Sequence, residues 1–146
     1  MPPCEIDVGA CPKFLRLVKQ LKKKYRQILD DLEALFEEIT KNYEVASNAA
    51  AIPSWKGEVW KHRCSSRDMK VGQSGGFRII SWVDRTQEPH VLYPLLIYPK
   101  SEKEDAPGIE IAEAIRLLKA ELESRGQDED DRLRDVASGE QPESSS

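Results

Sequence analysis

Four cations and a phenol hold most of the chemistry in this sequence: Lys61, Arg63, Arg78, Lys100 and Tyr98. Each lies in or beside a stretch rich in Val, Ile, Trp, Tyr and Phe, at residues 57–64, 76–83 and 91–98, the composition of β-strands. Side chains alternate across a strand, so Val59, Lys61 and Arg63 share one face and Trp60, His62 and Cys64 the other. In the next stretch Arg78 parts company with Phe77 and Ile79. If helices cover the face bearing Phe77, Ile79 and Val83, Arg78 looks out from the opposite face, where Lys61 and Arg63 join it. Tyr98 and Lys100 end the third stretch near the same edge. Positive charges gathered on an open sheet suit a polyanion, and a phosphodiester strand is the commonest one.

Gly72, Gly75 and Gly76 precede Arg78 in "GQSGGFR". Glycines there supply positive φ and remove Cβ atoms, letting backbone approach a bulky phosphodiester. The competing reading is that "SGG" is a hairpin turn and Arg78 an ordinary surface charge. The spacing is not that of a Walker phosphate loop, which needs G-x-x-x-x-G-K-[ST]. Trp55, Trp60 and Trp82 read as packing residues rather than base-stacking platforms. His62 and His90 have no metal-ligand neighbours at useful spacing, so no metal site is expected. The basic run "KQLKKKYR" and the carboxylates Glu33, Glu37 and Glu38 read as solvated helix faces.

The elements that must position these residues follow from periodicity. Ile6 and Val8, followed by Gly9 and Pro12, suit a short strand ending in a turn. From Phe14 to Ile39 apolar residues recur at helical spacing, with Pro12 near the first turn. One helix over that span would be roughly 39 Å long, against a radius of gyration of roughly 14 Å for such a chain, so a break is expected at Lys22–Gln27 and with it an antiparallel helical hairpin. An Ala-rich connection leads to Pro53, and three strands then form an antiparallel meander. Asp105 and Pro107 open a last helix, with Ile111, Ile115, Leu118 and Leu122 on one face and Gly126 to end it. The expected class is α+β: a small antiparallel sheet, made of the three-strand meander and the N-terminal strand, packed against the helical hairpin, with a C-terminal helix.

Length and charge set the outer limits. At 146 residues there is room for one modest core, expected over residues 1–126. Residues 127–146 carry seven acidic and two basic side chains and few large apolar ones, and are expected to be a disordered acidic tail. The overall charge of -4 hides this asymmetry, because residues 56–100 hold eight Lys or Arg against four Asp or Glu. Three cysteines without a C-x-x-C pair, and no signal-like N-terminal apolar stretch, point to a reducing cytoplasm. The longest apolar run, 91–98, contains Pro94 and falls far short of the roughly 20 residues of a membrane span.

Three motifs in order, "VWKHR" (59–63), "GQSGGFRII" (72–80) and "LLIYPKSEKED" (95–105), resemble the RelE/ParE superfamily of type II toxin-antitoxin toxins, most closely its RelE/HigB-like branch. The motifs cover residues 56–105, and the element order extends the likeness to about 4–124. Gln73 departs from the family, which commonly has Lys there, and Pro99 occupies a variable position.

The resemblance implies a RelE-like fold and a ribosome-dependent mRNA endoribonuclease, cytoplasmic, neutralised by a cognate antitoxin and working without cofactor. RNA brings its own nucleophile, the 2′-hydroxyl, so the enzyme needs a base, cations for the phosphorane and a donor for the departing 5′-oxygen. Lys61 is the candidate base, since crowding by like charges disfavours an ammonium. Arg78 suits bidentate contact with the scissile phosphate. Tyr98 would hold or stack on a base, and Lys100 would act as acid or phosphate ligand. Arg63, Lys56, Arg67 and Lys70 are the expected further contacts to nucleic acid. Two other readings stay open: a ParE-like inhibitor of DNA gyrase with the same fold, and a catalytically degenerate RelE-like binding module, for which Gln73 is the sign.

Overall fold

The computed structural model describes residues 6–41, 49–69, 75–103 and 105–138. The element order is β1 (Ile6–Val8), α1 (Pro12–Lys22), α2 (Ile28–Lys41), β2 (Ala49–Ala51), β3 (Val59–Cys64), β4 (Phe77–Asp84), β5 (His90–Pro99) and α3 (Gly108–Ser138). The chain is thus α+β, with a five-stranded mixed sheet and three helices.

Strands β3, β4 and β5 form the antiparallel meander, with the short turn that "DRTQEP" makes joining β4 to β5. The sheet order is β1-β5-β4-β3-β2. The first strand pairs with the last in parallel, Ile6 opposite His90 and Val8 opposite Leu92, whereas all other pairings are antiparallel. A register shift between Ile80 and Ser81 interrupts the β4–β5 ladder. Strand β2 comes from the Ala-rich stretch expected to be a connection. Three alanines carry no β signal of their own, and pairing with the edge of β3, Ala50 opposite Lys61, is what makes them a strand.

The long helical stripe breaks where the polar run sits, between Lys22 and Ile28. Charge favours both ends of the hairpin. Lys19 and Lys22 lie at the negative end of α1, and Asp30 and Asp31 in the first turn of α2. Tyr25 is buried at the bend and meets Phe77 edge-on, ring centroids 5.2 Å apart, which fixes the hairpin on one face of the sheet. Gln27 N–H donates to the Asp68 carboxylate at 2.8 Å and anchors the same bend from the other side. Between hairpin and sheet lie Phe14, Val18, Ile28, Leu32, Leu35 and Ile39 from the helices and Phe77, Ile79 and Val83 from β4, all buried. Full burial of each such side chain contributes on the order of 1.5–3 kcal/mol.

Two compact units divide after Ala114, inside α3. The sheet, the hairpin and the start of α3 form the first. In the second, Arg125 Nε donates to Glu121 at 3.1 Å, one helical turn away. Here the structure corrects two expectations. Asp105 and Pro107 lead directly into α3, as expected, but Gly126 does not end it. Residues 127–138 are helical where a disordered acidic tail was expected; residues 139–146 lie outside the described residues. A glycine inside a helix costs only about 1 kcal/mol relative to alanine and terminates it only where the chain turns left-handed. Among the described residues no helix is long and apolar enough to cross a membrane.

Candidate functional site

Cross-strand register decides which side chains share a face. Arg63 lies opposite Arg78, and Arg78 opposite Tyr98, so the three form one row across β3, β4 and β5. Neighbouring strands run about 4.8 Å apart, so the row spans about 10 Å. Lys61 starts the next row on the same face, opposite Ile80, which in turn faces Leu96. Since Phe77, Ile79 and Cys64 belong to the hairpin side, this face is the opposite one. Lys100 follows two residues beyond Tyr98, exposed, its backbone N–H bonded to the Gly76 carbonyl at 2.9 Å. Four of the expected residues therefore share one end of one face, with Lys100 beside them.

That face is closed over Arg78 and Tyr98 and leaves Arg63 exposed, and here the structure corrects the expectation of an open surface. Arg78, expected to look into solvent, is 2% exposed, and one of its Nη atoms donates to the Phe77 carbonyl at 3.2 Å. Tyr98 is 5% exposed. The signal was in the sequence: "FRIISWV" has apolar residues on both faces, the mark of a strand covered on both sides. Lys61 is paired instead of free. Its Nζ lies 2.6 Å from Asp105 Oδ1, a residue read beforehand only as part of a helix start. From the same segment Lys103 Nζ sits 4.9 Å from the centre of the Tyr98 ring and 3.1 Å from Glu110 Oε1.

The other expected contacts lie elsewhere. Arg67 belongs to the hairpin side, with its side chain 3.4 Å from Asp31 and 3.9 Å from Asp30 and its amide donating to Asp31 at 3.2 Å. Lys56 sits before β3, seven positions from Arg63, in a left-handed turn where its carbonyl accepts from Arg85. Lys70, Gly72 and Gln73 lie outside the described residues, as does Cys4. Gly75 is in the turn that leads to β4. Gly76 is required for a different reason from the one expected. Its φ is not in the left-handed region, but a Cβ there would collide with the Cys64 carbonyl. The glycine serves the approach of two strands and not that of a ligand.

Three buried titratable groups lie outside the sequence-based expectations. His62 faces the hairpin with no exposure, neither ring nitrogen has a hydrogen-bond partner among the described residues, and burial pushes its pKa down to about 4. Cys64 lies beside it in the chain, its thiol pushed up to about 12 by burial and, secondarily, by the Asp31 charge. Asp31 itself is held above the usual carboxylate range by burial, against the pull of Arg67. A hollow lined by Asp31, Glu38, Cys64 and Arg67 opens on that side of the sheet, away from Lys61 and Arg78. A thiol so placed is a poor nucleophile, and among the described residues the cation lining the hollow, Arg67, is already paired.

What the Arg63–Arg78–Tyr98 row and Lys61 can do chemically is bind an anionic backbone and move a proton, provided the segment around Asp105 is displaced. No family model, curated protein or solved structure matches the chain.

Proposed function

We propose that this chain is the toxin component of a type II toxin-antitoxin module, an mRNA endoribonuclease that acts on the ribosome by 2′-hydroxyl attack. The observation that carries the reading is the convergence of Lys61, Arg63, Arg78 and Tyr98 on one end of one sheet face, from three successive strands. The three ordered motifs that resemble RelE/HigB-like toxins support it independently.

In this reading Lys61, once released from Asp105, takes the 2′-hydroxyl proton. The 2′-oxygen then forms its bond to phosphorus as the bond from phosphorus to the 5′-oxygen breaks, leaving a 2′,3′-cyclic phosphate and a 5′-hydroxyl. Arg78 and Arg63 offset the charge that builds on the phosphorane, and Lys100 returns a proton to the departing oxygen. Tyr98 holds the flanking nucleotide. A cognate antitoxin would act by keeping RNA from this face.

The test is induction of the chain in cells followed by primer-extension mapping of mRNA. In-frame cleavage within translated messages is expected, lost in Lys61→Ala and in Arg78→Lys, both checked for folding by circular dichroism. Intact messages in growth-arrested cells, with inhibited supercoiling in vitro, would replace the nuclease reading with gyrase inhibition. The burial of Arg78 favours a second reading, a binding module of the same fold without catalysis. Absence of both growth arrest and cleavage, even after Gln73→Lys, would select it.

A further inference from the structure

Lys61 and Asp105 are 44 positions apart in the chain, yet their charged atoms meet at 2.6 Å. Asp105 is 70% exposed and Lys61 25%, so the pair sits at the rim of the site, within reach of a competing anion. A lysine whose Nζ is held by a carboxylate is occupied by that partner and is not presented to an incoming strand. Its neighbour Lys103 occupies the ring of Tyr98, where a nucleobase would otherwise stack, and is steadied by Glu110. One segment thus covers two of the groups assigned to RNA, and does so with one anion on a cation and one cation on a π face.

We propose that the Asp105 carboxylate is an internal substitute for the phosphodiester: it holds the segment leading into α3 over Lys61 and Tyr98, and an RNA strand must displace it to enter. The proposal rests on the nuclease reading for the identity of the displacing anion, but the occlusion itself is independent of cleavage. An exposed ion pair contributes little, so the closed arrangement is readily exchanged for an intermolecular one. The site is then closed in the resting chain and opened by its own ligand, with the population of open molecules set by the Asp105 pair.

The experiment uses the full-length chain and its Asp105→Asn variant, with Glu102→Gln as control. Glu102 is an exposed carboxylate of the same segment, so its loss reproduces the change in net charge. The first readout is acetylation of Lys61 by a small amine-reactive ester, followed by mass spectrometry. The second is binding of a 2′-O-methyl hexanucleotide, which cannot be cleaved, by fluorescence anisotropy. Asp105→Asn is expected to raise Lys61 labelling and to tighten oligonucleotide binding by roughly two- to fivefold, the scale of an exposed ion pair, with Glu102→Gln changing neither by more than a fraction of that. Unchanged labelling, unchanged affinity, or an equal gain in Glu102→Gln would each overturn the proposal. Failure of the nuclease reading looks different: Asp105→Asn would bind more tightly and label faster while mRNA in cells stayed uncut.

Discussion

Acidification should unfold this protein through one imidazole. His62 is wholly enclosed between the sheet and the helical hairpin, and its ring nitrogens have no hydrogen-bond partner among the described residues. The folded state therefore accepts only the neutral ring: burial lowers the pKa from 6.5 to about 4. Because the folded value lies below the unfolded one, the unfolded chain binds the proton first as pH falls. Stability is complete above about pH 6.5 and is lost progressively down to about pH 4. A shift of one unit corresponds to about 1.4 kcal/mol, so the full window is worth about 3 kcal/mol, and about 2 kcal/mol has gone by pH 5. Urea unfolding followed by tryptophan fluorescence at pH 7.5 and pH 5 measures this directly, with His62→Leu as the non-titrating comparison. The wild-type midpoint should fall by roughly 1–2 M more than that of His62→Leu, given a slope of 1–3 kcal/mol per molar urea. Asp31, held above its ordinary range, titrates with the opposite sign but is present in both proteins and cancels. Parallel pH profiles for the two proteins would refute the argument.

Three further outcomes test the structure. Gly76→Ala should destabilise by at least about 2 kcal/mol in urea titration, because the added methyl meets the Cys64 carbonyl and β3 and β4 would have to separate. Arg67→Ala should cost about 1 kcal/mol by leaving the buried Asp31 carboxylate with fewer partners, yet leave mRNA cleavage in cells unchanged, since Arg67 lies on the hairpin side; reduced cleavage in a stably folded variant would return it to the site. Cys11 and Cys64, 3% and 1% exposed, should resist a disulfide reagent in the native protein and react on unfolding, as absorbance at the released thiolate would record.

The parts of the fold legible in the sequence are those where side-chain pattern determines structure. The meander strands announced themselves through β-branched and aromatic residues, and the helical hairpin through a stripe too long for one helix. What escaped was set by partners distant in sequence. Strand β2 exists only because β3 offers an unpaired edge, and nothing in three alanines says so. The row Arg63–Arg78–Tyr98 was foreseeable from alternation, but the burial of Arg78 and Tyr98, with Arg63 left exposed, required reading Ile79 and Ile80 together as evidence of cover on both faces. Asp105 looked like a helix-start residue because its local surroundings fit one; its actual partner is an ammonium on a strand 44 residues earlier.

The parallel pairing of β1 with β5 has a temporal consequence. Ile6 waits for His90, 84 residues later, before the sheet acquires its final edge. At translation rates of about 5–20 residues per second the first strand spends roughly 4–17 s without its partner. Tyr98 lies in the same late strand and Lys100 just after it, so a nascent chain holds no assembled cluster until residue 100 of 146 has been synthesised. Long-range closure of this kind also slows folding, because the ends of the long intervening stretch must be brought together before the pairing of β1 with β5 contributes anything.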